Sequence, residues 1–372
     1  MRDKFPDTDL VLLTRGRVDE QVLLTGLHDS IRREVIIVCH KGEKKAHQIN
    51  WGGRVKDIIE YSGSNVGEAR QWCVDNLDKK NIIFLEDNIS LHVRADKPDF
   101  GNVRKFGLYE MSGNYFHEER VVEFQTNMIN DITEKLNSGD YGLVGISQRY
   151  GNNRFEEDFV ENVRIFGLFG LNRKLYKSLG HKMSDVKYRE DFYIILRFLL
   201  MGIKVGMFAK YALNKKHGVN SPGGCNTYRT PEETNRNVMW MVEQFPGIVS
   251  PKENKKVTWK GYNGITLDVI VQWKKAYEIG VGKREMPTEP YKQKQKKKSS
   301  WSFVVDDDVV ANELEDYLEE LVVVCEYFDC DVEDLLCCKK SSGVKYKRET
   351  MIDGEELGLG EFLFSTTRYE EV

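Results

Sequence analysis

The segment Asn81-Ile82-Ile83-Phe84-Leu85-Glu86-Asp87-Asn88-Ile89 constrains this chain more than any other. A short apolar run stops on two carboxylates and an amide, and Ile89 then resumes the apolar character. A run of this length and composition predicts a strand covered on both faces. Strands of that kind build open α/β sheets, where ligands collect beyond the carboxyl ends. Hard oxygen donors delivered to that edge suit a divalent cation and a diphosphate. The same residues also make an ordinary turn after a buried strand, so the segment does not decide alone.

Its surroundings extend the pattern. Leu10-Val11-Leu12-Leu13-Thr14 is a first apolar strand, followed directly by Arg15-Gly16-Arg17, and Val35-Ile36-Ile37-Val38-Cys39 is a second. A third is expected over 58–61 and the fourth over 82–85. Helical segments lie between them: one capped by Asp19 and running to about Leu27, another over 66–77. Strand–helix alternation of this sort predicts a parallel, doubly wound sheet. Further on, 140–147 and 163–170 read as strands, 188–200 as a helix opening on acids, and 204–207 as a strand. Thr230-Pro231-Glu232-Glu233 is a strong helix start, with Thr as the cap and Pro in the first turn.

Charge divides the chain. Its net charge is −4, yet residues 285–372 hold 11 Lys/Arg against 22 Asp/Glu, and residues 1–284 hold 44 against 37. The expected organisation is a basic main domain over 1–284, a lysine-rich linker over 285–300 and an acidic module over 301–372. Leu314, Leu318, Leu321 and Val322 keep helical spacing, which predicts a mainly helical module. No apolar run approaches the ~20 residues of a membrane span. The first residues lack the apolar core of a signal peptide, and seven cysteines without framework spacing read as reduced thiols, so the expected location is the cytoplasm. The set Cys325, Cys330, Cys337 and Cys338 matches no usual zinc spacing.

Four constellations carry possible chemistry. Glu86, Asp87 and Asn88 would ligate a metal ion. Gly63-Ser64-Asn65-Val66-Gly67-Glu68-Ala69-Arg70 brings glycines for close backbone approach and a cation on a helix, suited to a phosphate or ribose; a plain turn and helix start is its other reading. Glu190 and Asp191 offer carboxylates to take a proton from an acceptor hydroxyl, although acids at a helix start also answer the macrodipole alone. His217, with Ser221 and Gly223 in a glycine-rich loop, would complete a metal shell and close on a diphosphate, or simply be exposed.

The order of these pieces resembles that of nucleotide-sugar glycosyltransferases of the type A fold: strand then Arg15-Gly16-Arg17; Gly67 to Arg70; Phe84-Leu85-Glu86-Asp87-Asn88-Ile89; Glu190-Asp191 at a helix start; then His217. More narrowly, over about residues 8–280, the chain resembles the phage TET-associated glycosyltransferases, which act beside enzymes that oxidise 5-methylcytosine and add sugar to 5-hydroxymethylcytosine in DNA. The resemblance implies a doubly wound mixed sheet, a Mn²⁺ or Mg²⁺ cofactor and a UDP-sugar donor. It also implies a double-stranded DNA acceptor carrying hydroxymethylated bases, met in a bacterial host's cytoplasm. It makes Arg15, Arg17, Arg70, Gly67, Ser221 and Gly223 donor contacts and Glu86, Asp87, Asn88 and His217 metal ligands. Asp191 then becomes the base, with Glu190 beside it, and Arg149, Tyr150, Arg154 and Arg164 become the DNA-facing side through phosphate contacts and stacking, unless they are ordinary surface charge. Asn88 departs from the family's acid, and an amide binds a hard cation more weakly. Two other readings fit the residues: the same fold acting on a glycan or protein, and a non-catalytic DNA-binding protein on a decayed transferase fold.

Overall fold

The computed structural model describes residues 3–94, 108–150, 152, 155–216, 222–254, 259 and 262–287, together with three strands further on. The chain divides into two compact units, Met1–Gln293 and Lys294–Val372.

In the first unit four parallel strands come as the apolar runs predict: β1 (Thr8–Thr14), β2 (Val35–His40), β3 (Asp57–Tyr61) and β4 (Asn81–Glu86). They lie in the order β3-β2-β1-β4. The next strands are β5 (Ile89–Arg94), β6 (Leu108–Glu110), β7 (Tyr141–Gln148), β8 (Phe159–Glu161), β9 (Phe169–Asn172) and β10 (Lys204–Lys215). Beyond β4 the order continues β9-β7-β10-β5-β6, with β8 also paired to β10. Strand β9 runs antiparallel to both β4 and β7, and β5 antiparallel to β10, while β7 and β10 are parallel. The alternation read from the first 90 residues therefore gives the parallel half alone, and the whole sheet is mixed.

Both faces of the sheet are covered. Val11, Ile82 and Phe84 join one core cluster, whereas their neighbours Leu10, Leu12, Ile83 and Leu85 join the other. That is the period-two consequence of a pleated strand buried on both sides. On the first face lie helices α4 (Val66–Asn76) and α7 (Glu190–Leu200). Helix α4 is capped by Asn65, whose side chain accepts from Glu68 N at 3.0 Å. Helix α8 (Pro231–Gln244) begins as its sequence predicts, with the Thr230 hydroxyl accepting from Glu233 N at 3.2 Å. It packs on a two-stranded sheet of β11 (Val249–Glu253) and β12 (Leu267–Val271).

Three expectations are corrected. Asp19 caps nothing: the first helix, Val22–Gly26, starts after Gln21, and the Asp19 carboxylate instead accepts from Asn50. The strand expected over 163–170 is confined to β9, because Asn162 (φ 56°) and Gly167 (φ 77°) break the extended backbone. The strand expected over 204–207 continues through twelve residues to Lys215.

In the second unit the described residues form a three-stranded antiparallel sheet, Trp301–Val304, Arg348–Ile352 and Phe364–Arg368, with the last strand in the centre. The helical spacing at Leu314 to Val322 lies outside the described residues.

Candidate active site

A cavity of about 530 Å³ opens at the carboxyl ends of β1, β2 and β4, and it collects most of the chemistry-bearing residues. Its floor is where β4 stops. Glu86 is the last residue of that strand, Asp87 and Asn88 make the turn, and β5 begins at Ile89.

The three residues have different occupations. Asp87 is buried, its Oδ2 accepting from Thr14 Oγ1 at 2.8 Å and its Oδ1 from Arg17 Nη1 at 2.7 Å. Gln21 completes the network by donating to Thr14 Oγ1 (3.0 Å) and the Arg17 carbonyl (2.6 Å). Burial raises the Asp87 carboxyl above its ordinary value, against the pull of Arg17 and Thr14. Each oxygen holds one of these bonds, and through them Asp87 ties β1 to β4. Glu86 is different. Its carboxylate is 23% exposed, with Oε2 accepting from Lys215 Nζ at 2.8 Å and Oε1 4.0 Å from Arg70 Nη2. Burial would raise Glu86, but Lys215, Arg70 and Arg17 outweigh it and hold the carboxyl below the usual range. Asn88 also lines the cavity.

Arg70 is buried on α4, stacked over the Phe169 ring at 4.8 Å, with Nη1 hydrogen-bonded to Glu190 Oε1. Burial opposes its charge, yet Glu190, Asp191 and Glu86 push its pKa further up. For Glu190 burial wins, and its carboxyl is raised despite Arg70. The pair joins α4 to the start of α7. Arg189, the residue before that helix, adopts φ 58°, rare for a side chain of this size. It is held there by its own pairing with Asp268 of β12 at 3.1 Å. This left-handed residue aims the first turn of α7 at the cavity. Asp191 is half-buried there, with Oδ1 accepting from Phe192 N at 2.9 Å.

The loop after β1 meets the glycine-rich loop. Gly224 N donates to the Arg15 carbonyl at 2.7 Å, and a side chain at Gly223 would stand 2.6 Å from Arg17 Cγ. Gly223 thus serves close loop packing. Gly67 does likewise: a Cβ there would lie 2.4 Å from the Met183 carbonyl, so this glycine seats α4 rather than touching a ligand. Arg15 faces the cavity across the Tyr228 ring, 5.4 Å away. His217 and Ser221 lie outside the described residues, as does Arg154. Arg149 and Tyr150 are exposed and do not line the cavity, whereas Arg164 does.

Several cavity residues escaped the sequence reading. Lys215 sits at the end of β10, visible only once that strand is known to run five residues past Lys210. Tyr188 and Tyr228 stack at 5.8 Å, and Arg229 lies over Tyr188 at 5.6 Å. The lining holds Arg15, Arg17, Arg70, Arg164, Lys187, Arg189, Lys215 and Arg229 against Glu86, Asp87, Glu190, Asp191 and Asp268. Such an excess of cations suits an anionic ligand.

The profile of the TET-associated glycosyltransferases matches residues 8–224, more than half of the chain and the part that builds this cavity floor. The chain belongs to that family. Its central sheet is mixed, with helices packed on both faces. Among solved structures it is similar to S. aureus TarS 1-349 in complex with UDP-GlcNAc, at 11% identity and TM-score 0.40, covering 64% of this chain and 66% of that one. It is also similar to the mannosyltransferase PcManGT from Pyrobaculum calidifontis in complex with GDP-Man and Mn²⁺, at 11% identity and TM-score 0.35, covering 55% and 57%. The chain thus spans just under two thirds of the TarS fragment. No curated protein matches it. Among the described residues of this TET-associated glycosyltransferase, no helix is long and apolar enough to cross a membrane.

Proposed function

We propose that this glycosyltransferase moves a hexose from a UDP-sugar to the hydroxymethyl group of 5-hydroxymethylcytosine in DNA. The observation that carries the reading is that Asp191 opens onto the same cavity as Glu86 and the cations Arg15, Lys215 and Arg229. This supports a general base and a departing diphosphate sharing one enclosure. The family resemblance supplies the acceptor.

A divalent cation fits the donor set at the end of β4. Mg²⁺-type sites take one or two protein oxygens and complete their shell with phosphates and water. Glu86, held ionised, and Asn88 offer that number, with His217 the further expected ligand; no larger group of acidic, His and Cys side chains gathers among the described residues. Bound there, Mn²⁺ or Mg²⁺ would supply Lewis-acid neutralisation of the diphosphate. The rest belongs to the chain. Arg15, Lys215 and Arg229 present positive charge to the phosphates. The Arg70–Glu190 pair and the Arg189–Asp268 pair fix the first turn of α7, so that Asp191 is positioned before substrate arrives. Its carboxylate takes the proton of the acceptor hydroxyl as the oxygen attacks the anomeric carbon. A target base stacked in duplex DNA must leave the stack to reach this cavity.

Incubation with hydroxymethylated and plain cytosine duplexes and a panel of UDP-sugars, read by nucleoside mass spectrometry, tests the proposal. A hexose mass gain on the hydroxymethylated nucleoside alone is expected. Donor cleavage with sugar found only on added glycans or proteins would refute the DNA acceptor.

A further inference from the structure

Between Asn162 and β9 the chain does something the sequence does not announce. Leu168 N–H donates to the Phe166 carbonyl at 2.9 Å around Gly167, whose φ is +77°. This is a three-residue turn of the uncommon, strained hand. Only glycine fits, since a Cβ would also lie 2.9 Å from Leu213 Cδ2. The consequence is local: Ile165 and Leu168 are sunk in the core at 1% and 0% exposure, while Phe166 between them is turned out, half-buried, onto the cavity. Backbone strain of this kind persists where the surroundings impose it and gathers at ligand sites.

Phe166 stands between the two halves of the site. On one side Lys215 Nζ lies 4.7 Å from its ring centre while bonding Glu86. On the other, the Arg164 guanidinium lies 5.3 Å from the Phe166 ring and 4.7 Å from that of Phe192, the residue after Asp191. Arg164 is exposed, and no carboxylate of the described residues pairs with it. A ring and a guanidinium thus form a continuous wall from the donor-side acid to the general base. The Phe166 ring rests with its inner side against the core, leaving its outer face to the cavity.

We propose that this wall is the acceptor subsite, and that its occupant is a single pyrimidine ring swung out of the nucleic acid. The ring would lie on Phe166, while Arg164 donates to the carbonyl and ring-nitrogen acceptors on its pairing edge. Aromatic faces accept any base by stacking, and a guanidinium fork adds selection for an acceptor edge. The inference rests on the DNA-acceptor reading of the previous section and adds which residues hold the base.

The test compares the wild type with Phe166→Leu, Phe166→Tyr and Arg164→Gln, using a hydroxymethylated duplex, a UDP-sugar and, separately, free 5-hydroxymethyl-dCMP titrated calorimetrically in the presence of UDP. Loss of one stacking platform should raise the acceptor KM of Phe166→Leu by about 10- to 100-fold. Arg164→Gln should behave similarly, and Phe166→Tyr should stay near wild type. Thermal melts of all three should match the wild type, and Phe166→Tyr should keep the acceptor KM that Phe166→Leu loses, which a merely structural role for Phe166 would not allow. An acceptor KM unchanged in both Phe166→Leu and Arg164→Gln, with DNA still modified, overturns the subsite and leaves the reaction standing. Phe166-dependent binding of the free nucleotide without transfer to DNA does the reverse. Absence of nucleotide binding by the wild type overturns the subsite outright.

Discussion

Arg17 Nη1 donates to Asp87 Oδ1 at 2.7 Å, and the pair is 8% and 4% exposed. This bond joins the loop after β1 to the turn after β4, the two segments that frame the end of the cavity proposed for the donor. Removing one partner of a buried pair leaves the other charge uncompensated, at a cost of about 3–5 kcal/mol. Arg17→Met and Asp87→Ala should each lower the unfolding free energy by that order in urea titrations. Asp87 variants are therefore predicted to lose stability along with activity.

The Arg70–Glu190 pair allows a sharper separation. Arg70→Met alone should be destabilising by about 3–5 kcal/mol, whereas Arg70→Met with Glu190→Met should recover most of that loss. The double variant should still turn over poorly, because α7 no longer begins in its native setting. Denaturation and steady-state kinetics on the same preparations check both halves.

Metal dependence should localise to Glu86. Chelation is expected to abolish transfer, and Mn²⁺ or Mg²⁺ to restore it. In Glu86→Gln the Mn²⁺ concentration for half-maximal activity should rise at least about tenfold, by analogy with the 10–100-fold effects of altering a metal's environment. An unchanged Mn²⁺ titration would remove Glu86 from the site.

Glu86 also sets a pH response. Its carboxyl is held below its ordinary value in the folded chain by Lys215, Arg70 and Arg17, which outweigh burial. The unfolded chain's glutamates titrate near ~4.3. A depressed folded pKa contributes stability above that value and loses it as the pH falls through the folded pKa. The stability difference between wild type and Glu86→Gln should therefore shrink on acidification below about pH 4. Urea midpoints measured from pH 6 to pH 3 would show it.

Much of the parallel half was legible. All-apolar runs fixed four parallel strands because burial on both faces leaves no polar alternation. Thr230 announced its helix because a side-chain oxygen must satisfy free N–H groups there. What stayed hidden depends on contacts distant in sequence. The antiparallel insertion of β9 between β4 and β7 leaves no local trace. Gly67 and Gly223 read as phosphate-binding glycines, yet the space they spare is taken by Met183 and Arg17. Lys215 reaches Glu86 only because β10 runs on past Lys210. The bonds from Thr14 and Arg17 to Asp87 were hidden because neither could be placed against it without the sheet register.

The most direct measurement is hexose transfer to a hydroxymethylated duplex by wild type and Asp191→Asn, quantified by nucleoside mass spectrometry, with thermal melts on both proteins. A positioned general base contributes about 10²- to 10⁴-fold. Asp191→Asn should therefore melt like the wild type, bind UDP-sugar as well, and form sugar-modified nucleoside at least about a hundredfold more slowly. A folded Asp191→Asn protein that transfers sugar within about threefold of the wild-type rate, where general-base catalysis requires orders of magnitude, would contradict the account.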